Sequence, residues 1–484
     1  MADPVAIQFG PWEPDRAPHM SPALSEATNV LPVAGAYAPF PTHVPLAGTA
    51  LPAPAKGFFS IPLPDGTPLI YGATNDDIYE IGNGSITLRF DGTALSPGYW
   101  RFAQFDGRTI AVNPSVLPQG AIPGSDFADL GGTPPIATTC AVVGNFLVLG
   151  NLIDDGADGY QPNRIRWSGF NDPDTWGTSV GTQADFQPMP DEGGPVIAIT
   201  GREIGTVFQR KCISRMQYVG TPNVFDFQVV ESGRGAVSTG AVCDIGDLVF
   251  FLADDGFYVW NGAAATPIGT DRVDRWFNSL LDHNRIDDII SGFDPVTRCV
   301  IWGFPRPTLD GIQNLIAFSI GDQRWTAIEY PIQALGSSES LPTSLEDMPP
   351  PDSFGGSYDD PAFAGRAPVL AGIDSSNSYG TFSGGALPAT LTTGDYQSSP
   401  GRRSFVTGCR PIIDSSGVTI SVGERDQTSA NLISWKAPVG LNRAGSTPQR
   451  NDGRYLRYKM QTPANDSWSR AVGLEIEMRG TGRR

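Results

Sequence analysis

Apolar and polar residues alternate in short runs along most of this chain, and each run stops at a polar turn. The stretch Leu248–Gly262 (LVFFLADDGFYVWNG) shows the pattern, with two aromatic, apolar runs on either side of Asp254-Asp255-Gly256. Alternation with a period of two predicts β-strands, and an Asp-Gly turn between two such runs predicts a hairpin. The chain is therefore predicted to be all-β and built mainly from antiparallel hairpins.

The same hairpin pattern occurs at two earlier places. Leu69–Gly84 carries Asp76-Asp77 in its turn, whereas Gly205–Gly220 carries Gln209-Arg210-Lys211 at that position. The turn therefore requires polar residues, and it does not require carboxylates.

The spacing of these hairpins indicates a repeat. Gly220 and Gly262 close two of them 42 residues apart, and Gly84 lies 136 residues before Gly220. Stretches that begin at Asn314 and Pro368 continue the series less regularly. A repeat of about 40–50 residues made only of strands is typical of a β-propeller, in which each blade is a four-stranded sheet. The pattern predicts roughly six or seven blades.

Composition divides the chain into three predicted parts. With 57 glycines and 43 prolines in 484 residues, the chain suits a turn-rich β fold. Residues 1–55 are rich in proline and alanine and are predicted to form an extended N-terminal arm. Residues 56–398 are predicted to form the propeller, interrupted by a polar inserted loop at about 336–366. Residues 399–484 are predicted to form a basic, β-sandwich-like C-terminal module.

One helix is predicted, from Asp271 to Asp282. Its apolar residues fall on one helical face, and Asp271 is placed to cap its first turn. Trp276 and Phe277 are predicted to be buried against a blade or a neighbouring subunit, and both are therefore candidate assembly residues.

Charge is distributed unevenly along the chain. The net charge is −18, but residues 400–484 contain 14 Lys and Arg against 7 Asp and Glu, so residues 1–399 carry a net charge of −25. In RYLRYKMQ the apolar side chains alternate with basic and aromatic ones, which predicts a basic outer face on one strand. The candidate residues for docking on an acidic protein surface are Arg454, Arg457, Lys459, Arg483 and Arg484. Nucleic acid is an alternative partner for this face.

The chain shows no signature of catalysis. Five pairs of adjacent aspartates invite comparison with a propeller glycosidase, but adjacent residues in a strand point to opposite faces, so solvated turns explain them better. Five scattered cysteines are predicted to be buried free thiols, and three separated histidines offer no zinc spacing. We therefore predict no catalytic residues, no metal and no cofactor. The chain lacks an apolar run of about 18 residues and a secretory leader, which predicts no membrane segment.

The stretch Asp254–Pro305 resembles a pattern that recurs in tail proteins of short-tailed bacteriophages. The pattern is an aromatic strand, Asn-Gly, Pro-Ile-Gly, a basic and aromatic helix, Asp-Pro, and the strand VIWGFP. RIRWSGFNDPDTW from Arg164 and the ending from Asp452 are similar to the same family. The likeness covers roughly residues 140–330 and 400–484, and the N-terminal third matches less well.

The family is the tail hub or nozzle protein, also described as a packaged-DNA stabilisation protein. The resemblance implies a structural, non-enzymatic virion protein, assembled in the host cytoplasm, whose β-propeller subunits form a homohexameric ring. The ring lies below the portal adaptor, contacts tail fibre or spike proteins, closes the channel on packaged double-stranded DNA and later conducts it. The alternatives are a propeller glycoside hydrolase, such as a depolymerase, and a sugar-binding receptor-recognition protein.

Overall fold

The computed structural model describes residues 4–17, 19, 21–64, 66–341, 367–398, 402–427 and 433–482. Strands form nearly all of its regular structure. The N-terminal segment contributes five of them: β1 (Val5–Gln8), β2 (Leu24–Thr28), β3 (Val30–Val33), β4 (Ala36–Pro39) and β5 (Pro41–Ala50).

Five consecutive four-stranded antiparallel sheets follow, and each is one blade. Blade 1 contains β6 (Gly57–Pro62), β7 (Pro68–Ala73), β8 (Ile78–Gly82) and β9 (Ser85–Phe90). Blade 2 contains β10 (Arg101–Phe105), β11 (Arg108–Asn113), β12 (Val116–Ala121) and β13 (Ala128–Asp129). Blade 3 contains β14 (Ile136–Val143), β15 (Phe146–Asp154), β16 (Gln161–Trp167) and β17 (Asp185–Pro188). Blade 4 contains β18 (Val196–Thr200), β19 (Ile204–Gln209), β20 (Cys212–Gly220) and β21 (Val224–Ser232). Blade 5 contains β22 (Val242–Asp244), β23 (Val249–Ala253), β24 (Gly256–Trp260) and β25 (Ala265–Pro267).

The last two blades share one long strand. Blade 6 contains β26 (Ile290–Asp294), β27 (Cys299–Pro305), β28 (Ile312–Ser319) and the first half of β29 (Arg324–Glu339). From Ile332 onward β29 leaves β28 and pairs with β30 (Pro368–Asp374), which pairs with β31 (Ser378–Ala386). β31 then pairs with β5 from the N-terminal segment. The second half of β29 with β30, β31 and β5 is therefore blade 7, and the fold is a seven-bladed β-propeller.

Hydrogen bonds between neighbouring first strands close the ring of blades. The Ser291 hydroxyl donates to the Val242 carbonyl at 3.2 Å between blades 6 and 5, and the Ser337 hydroxyl donates to the Phe293 carbonyl at 2.7 Å between blades 7 and 6. Ser60 and Ser338 meet at 2.8 Å between blades 1 and 7. Because β5 is the outer strand of blade 7 and leads into blade 1, the pairing of β31 with β5 also closes the circle.

The rest of the chain forms a β-sandwich beside blade 6. Its strands are β32 (Ala389–Thr393), β33 (Arg403–Ile413), β34 (Thr419–Arg425), β35 (Ser434–Trp435), β36 (Val439–Gly440), β37 (Thr447–Gly453), β38 (Tyr455–Thr462) and β39 (Ala471–Gly482). One sheet has the order β3-β4-β39-β33-β37 with β1 beside β39, and the other runs β2-β32-β38-β34-β35 with β36 beside β34. The two sheets and the helix share one apolar core with blades 5 and 6.

The helix α1 spans Asp274–Leu280, which is shorter than predicted at both ends. Short 3-10 helices cover Gly156–Asp158, Asp191–Gly193, Thr239–Ala241 and His283–Asp288. The predicted cap, Asp271, is wrong: its carboxylate pairs with the Arg275 side chain at 3.1 Å. The helix is capped instead by Asp15, whose carboxylate accepts hydrogen bonds from the backbone of Arg275 at 2.8 Å and Trp276 at 2.7 Å. An N-terminal residue distant in sequence supplies the acceptor that the first turn needs.

Two predicted boundaries differ from the structure. Residues 336–339 are predicted to belong to the inserted loop, but they continue β29, because its small side chains pack on blade 1, with Gly336 against Phe58. Residues 342–366, including Asp359-Asp360, lie outside the described residues. β32 is predicted to belong to the propeller, but it pairs with β2 and β38 of the sandwich. Strands of the predicted N-terminal arm belong to both the sandwich and blade 7.

Candidate functional site at the channel mouth

The first strand of each blade faces a central channel. A cavity of about 410 Å³ is lined by the first strands of blades 1–5, and a smaller one of about 130 Å³ beside it is lined by Ile290 and Ser291 of blade 6 and Ala334 and Leu335 of blade 7. The first strands of blades 5 and 6 run side by side in one direction, because Gly240 lies against Ile289 and, two residues further along both strands, the Ser291 hydroxyl bonds the Val242 carbonyl. The channel therefore has one end where the first strands begin and another where they finish.

A cluster of polar residues surrounds the end where the strands begin, which we call the channel mouth and define by Lys56, Tyr99, Arg101, Arg285 and Asp288. The Tyr99 hydroxyl donates to Asp288 Oδ1 at 2.5 Å, and Arg285 Nε lies 2.9 Å from Asp288 Oδ2. Lys56 Nζ lies 3.2 Å from the Tyr99 hydroxyl oxygen and 4.5 Å from the centre of its ring. Each residue precedes or begins a first strand, except Arg285, which lies in the connection to blade 6.

The pKa values of the two groups that share this hydrogen bond, Asp288 and Tyr99, shift in opposite directions. Burial would raise the pKa of Asp288, but hydrogen bonds from Tyr99 and Arg285 lower it below its usual value. Burial and the hydrogen bond to Asp288 raise the pKa of Tyr99. Burial lowers the pKa of Arg101, whose guanidinium lies 5.5 Å from the centre of the Tyr99 ring. At neutral pH, Asp288 is therefore ionised and Tyr99 is protonated.

A carboxyl group with the opposite shift lies at the other end of the channel. Burial raises the pKa of Asp244, the last residue of β22. Asp244 ends the first strand of blade 5, whereas Asp288 precedes the first strand of blade 6.

The acidic turns are held by cations from neighbouring turns. Asp254 pairs with Arg210 at 2.6 Å, and Asp255 pairs with Arg234 at 3.1 Å. Burial would raise the pKa of Asp255, but hydrogen bonds from Arg234 and Tyr258 and the charge of Arg234 lower it below the usual value. Arg210 occupies in blade 4 the turn that Asp254 occupies in blade 5. The equivalent turns of blades 4 and 5 therefore carry opposite charges, and Arg210 and Asp254 form an ion pair between the two blades.

We expect the double variant Asp254→Asn, Asp255→Asn to fold and to lose less than about 1 kcal/mol per ion pair, because both carboxylates are more than half exposed. Chemical denaturation measures the loss. Asp155→Asn is the matched comparison, since its carboxylate is buried between Arg164 at 2.8 Å and Arg166 at 2.5 Å, and its loss should be larger. Loss of a measurable glycosidase activity in the double variant would contradict a structural role for these turns.

The structure places the predicted assembly residues apart from the channel mouth. Phe277 is fully buried, whereas Trp276 is half-buried and packs edge-on against Trp12 at 4.8 Å. Both contact their own chain: Phe277 meets Phe257 and Phe304, and Trp276 also approaches Phe304. Their burial is therefore intramolecular in this chain.

The basic residues of β38 are also engaged within the chain. The expectation that Arg457 stands on an outer face is wrong, because its Nε lies 2.6 Å from the buried Asp395 and its side chain is only 15% exposed. Lys459 pairs with Glu26 at 3.3 Å, and Arg454 is half-buried. Arg483 and Arg484 lie outside the described residues. The N-terminal strands thus bring carboxylates to a segment whose sequence alone is strongly basic.

Other features of the described residues concern metals, thiols and membranes. All five cysteines are free and buried, which confirms that prediction. Within the described ranges, no group of three or more His, Cys, Asp or Glu side chains is arranged to hold a metal ion. Among the helices of that same part of the chain, none combines the length and apolar character needed to cross a bilayer.

Of the channel-mouth residues, the sequence singled out only Asp288, as a member of one of the five adjacent aspartate pairs, and interpreted it as part of a solvated turn. Lys56, Tyr99, Arg101 and Asp288 come from connections that are up to 232 residues apart, and no motif links them. The available signal was the propeller repeat itself, since residues just before each first strand converge on the channel axis.

No family model matches the chain, and no curated protein matches it either. Several solved structures are similar in overall form. A chain of the mitotic checkpoint complex has 9% identity and a TM-score of 0.39, covering 71% of this chain and 92% of that one. The Pan2 WD40 domain of Neurospora crassa has 9% identity and a TM-score of 0.39, covering 60% and 88%. BBS1N, solved in complex with ARL6DN, has 11% identity and a TM-score of 0.42, covering 73% and 96%. With every one of these TM-scores below 0.5, the strand order described above is what establishes the propeller.

Proposed function

We propose that this chain is the subunit of a tail hub or nozzle ring of a short-tailed bacteriophage. In this role it closes the DNA channel below the portal and adaptor, retains packaged DNA and conducts it during ejection. The observation that carries the proposal is the resemblance of Asp254–Pro305 to the recurrent pattern of that family, joined by the stretch from Arg164 and the ending from Asp452. The proposal includes six copies in a ring, contacts with the adaptor and with fibre or spike proteins, and a place in the virion tail.

The charge of the chain supports a conduit. DNA carries one negative charge for about every 1.7 Å of its axis, so each exposed cation on a channel wall adds an electrostatic well that slows passage. Residues 1–399 carry a net charge of −25 and repel the polymer. Several cations of the body are also paired with carboxylates, as Arg210 is with Asp254 and Arg234 with Asp255.

The state of the carboxylates supports a role without catalysis. Asp255 and Asp288 have lowered pKa values because cations and hydroxyl groups bond to them, so neither holds a proton for a leaving group at neutral pH. Asp244, whose pKa is raised by burial, ends the first strand of blade 5, whereas Asp288 precedes the first strand of blade 6.

We expect the purified chain to assemble into rings, alone or on addition of the portal adaptor. Native mass spectrometry should then show a species of six times the 51.5-kDa chain mass, and electron microscopy should show a bore wide enough for duplex DNA. The experiment should be repeated with rising salt, because charge complementarity between an acidic propeller and a basic sandwich is screened over about 8–10 Å.

A matched pair of variants tests which surface makes the contact. Arg450→Glu reverses an exposed charge on the sandwich, and Arg298→Glu reverses one on the propeller. Slower ring assembly in the first and unchanged assembly in the second are expected. A chain that stays monomeric with the adaptor present and that cleaves or binds surface polysaccharide would overturn the proposal in favour of a depolymerase or a receptor-binding protein.

A further inference from the structure

One cavity at the channel mouth contains buried polar groups that have no partner. The cavity has a volume of about 400 Å³ and is lined by Arg101, Asn151 and Ser238, among others. The Ser238 side chain is 97% buried, and its hydroxyl makes no hydrogen bond with any residue that the structure describes. The amide oxygen of Asn151 is also buried and unbonded within those residues. Buried polar groups in folded proteins are almost always bonded to protein or to ordered water, so these two groups require a polar partner, either water or a ligand, in the cavity.

Arg101 supplies a positive charge to the same cavity. Its guanidinium forms no ion pair or hydrogen bond with the described residues; it lies 5.5 Å from the centre of the Tyr99 ring and interacts electrostatically with Asp287. Arg164, Arg166 and Arg234, in contrast, each pair with a carboxylate. A half-buried guanidinium with five donors and no acceptor is costly in the empty protein. An incoming anion would remove that cost.

The formal charges that line the cavity are balanced. Lys56 and Arg101 add two positive charges, and Asp287 and Asp288 add two negative ones. Both oxygens of Asp288 already accept hydrogen bonds, from Tyr99 and from Arg285, so Asp288 does not satisfy Arg101. Lys56 pairs with Asp288 at 3.9 Å, so Arg101 is the cation of this lining without a bonded carboxylate among the described residues, and it is the group that an anion would meet.

The size and walls of the cavity specify the anion further. A volume of about 400 Å³ is far larger than an inorganic oxyanion needs and lies within the range of small-molecule sites. The walls include apolar surfaces from Pro97, Pro114 and Ile197, which suit the C–H face of a sugar ring. Ser238 and Asn151 offer bonds to hydroxyl groups, and Arg101 offers a bidentate site for a carboxylate.

We propose that this cavity binds a monosaccharide-sized sugar acid, with its carboxylate on Arg101 and its hydroxyl groups on Ser238 and Asn151. The site is independent of ring assembly, because all of its residues belong to one chain. A host surface polysaccharide that contains uronic acids is the chemical class that would present such a group.

Titration calorimetry of the full chain with D-glucuronate tests the proposal, with D-glucose and inorganic phosphate as parallel probes. Saturable binding of glucuronate is expected. Glucose lacks the carboxylate and phosphate lacks the sugar hydroxyl groups, so each should bind at least about tenfold more weakly, because one charge-assisted pair or one set of hydroxyl contacts changes affinity by about a factor of ten or more. No binding of glucuronate up to about 10 mM would overturn the proposal. Equal binding of glucose would overturn the role of Arg101, and tighter binding of phosphate would overturn the assignment of a sugar acid.

Variants separate the site from the fold. Arg101→Gln should weaken glucuronate binding about 10- to 100-fold and Ser238→Ala should weaken it by a smaller factor, while Arg443→Gln, at an exposed arginine of the sandwich, should leave it unchanged. Because the unpaired guanidinium destabilises the empty protein, Arg101→Gln should melt at the same temperature as the parent chain or higher. Undiminished binding by Arg101→Gln, or a clear fall in its melting temperature, would show that Arg101 has a structural role only.

Discussion

Asp395→Ala is expected to lower the free energy of unfolding by about 3–5 kcal/mol, because it leaves two buried cations without their shared acceptor. The Asp395 side chain is fully buried, and it pairs with both Arg425 and Arg457. The two arginine side chains are only 10% and 15% exposed, so water cannot replace the carboxylate well. Urea denaturation followed by tryptophan fluorescence measures the change.

Asp426→Ala is the matched control for this prediction. Asp426 also pairs with an arginine of the sandwich, Arg403, but its side chain is 53% exposed, so its loss should cost less than about 1 kcal/mol. Equal denaturation midpoints for the two variants would mean that the Asp395 cluster is not buried as described. Asp395→Asn, which keeps the shape and removes the charge, should be destabilised nearly as much as the alanine variant.

Phe277→Ala is expected to cost about 3–5 kcal/mol, because the ring is fully enclosed by other aromatic side chains. Its ring centre lies 4.8 Å from that of Phe257 and 4.7 Å from that of Phe304, so removal leaves a cavity between blades 5 and 6. Thermal and chemical denaturation of the purified variant should both report the loss.

Trp276→Ala provides the comparison within the same helix. Although tryptophan is the larger side chain, it is half-buried here, so we expect a smaller loss than for Phe277→Ala. A larger loss at Trp276 than at Phe277 would indicate that the free chain buries Trp276 in a contact between copies. The two substitutions thus also test whether this helix lies at an interface.

The hairpin pattern predicted the position of strands within blades well. The hairpins Leu69–Gly84, Gly205–Gly220 and Leu248–Gly262 are the second and third strands of blades 1, 4 and 5. The stretch from Pro368 occupies the same place in blade 7, whereas that from Asn314 forms the third and fourth strands of blade 6. The alternation of apolar and polar residues and the residue preferences of turns are local features of a few residues, so they predict strands and hairpins from the sequence alone.

The closure of the ring and the composition of the sandwich were not predictable in this way. Val44 of β5 pairs with Thr381 of β31, and Val5 of β1 pairs with Ile476 of β39. Backbone hydrogen bonds between strands do not depend on which side chains they carry, so no local signal names a partner hundreds of residues away. For this reason the sequence predicts residues 1–55, which are rich in proline and alanine, to be a separate arm.

The charges show the same difference between what is local in sequence and what depends on tertiary contacts. The sequence by itself determined that this protein is an all-β chain of repeated hairpins, with an acidic body and a basic end, because composition and periodicity are properties of the local chain. Only the tertiary structure decided that Arg457 meets Asp395, that Lys459 meets Glu26, and that Arg101 is left without a carboxylate. The reason is physical: the cost or gain of a charge depends on burial and on the nearest opposite charge, and both arise only when distant strands are brought together.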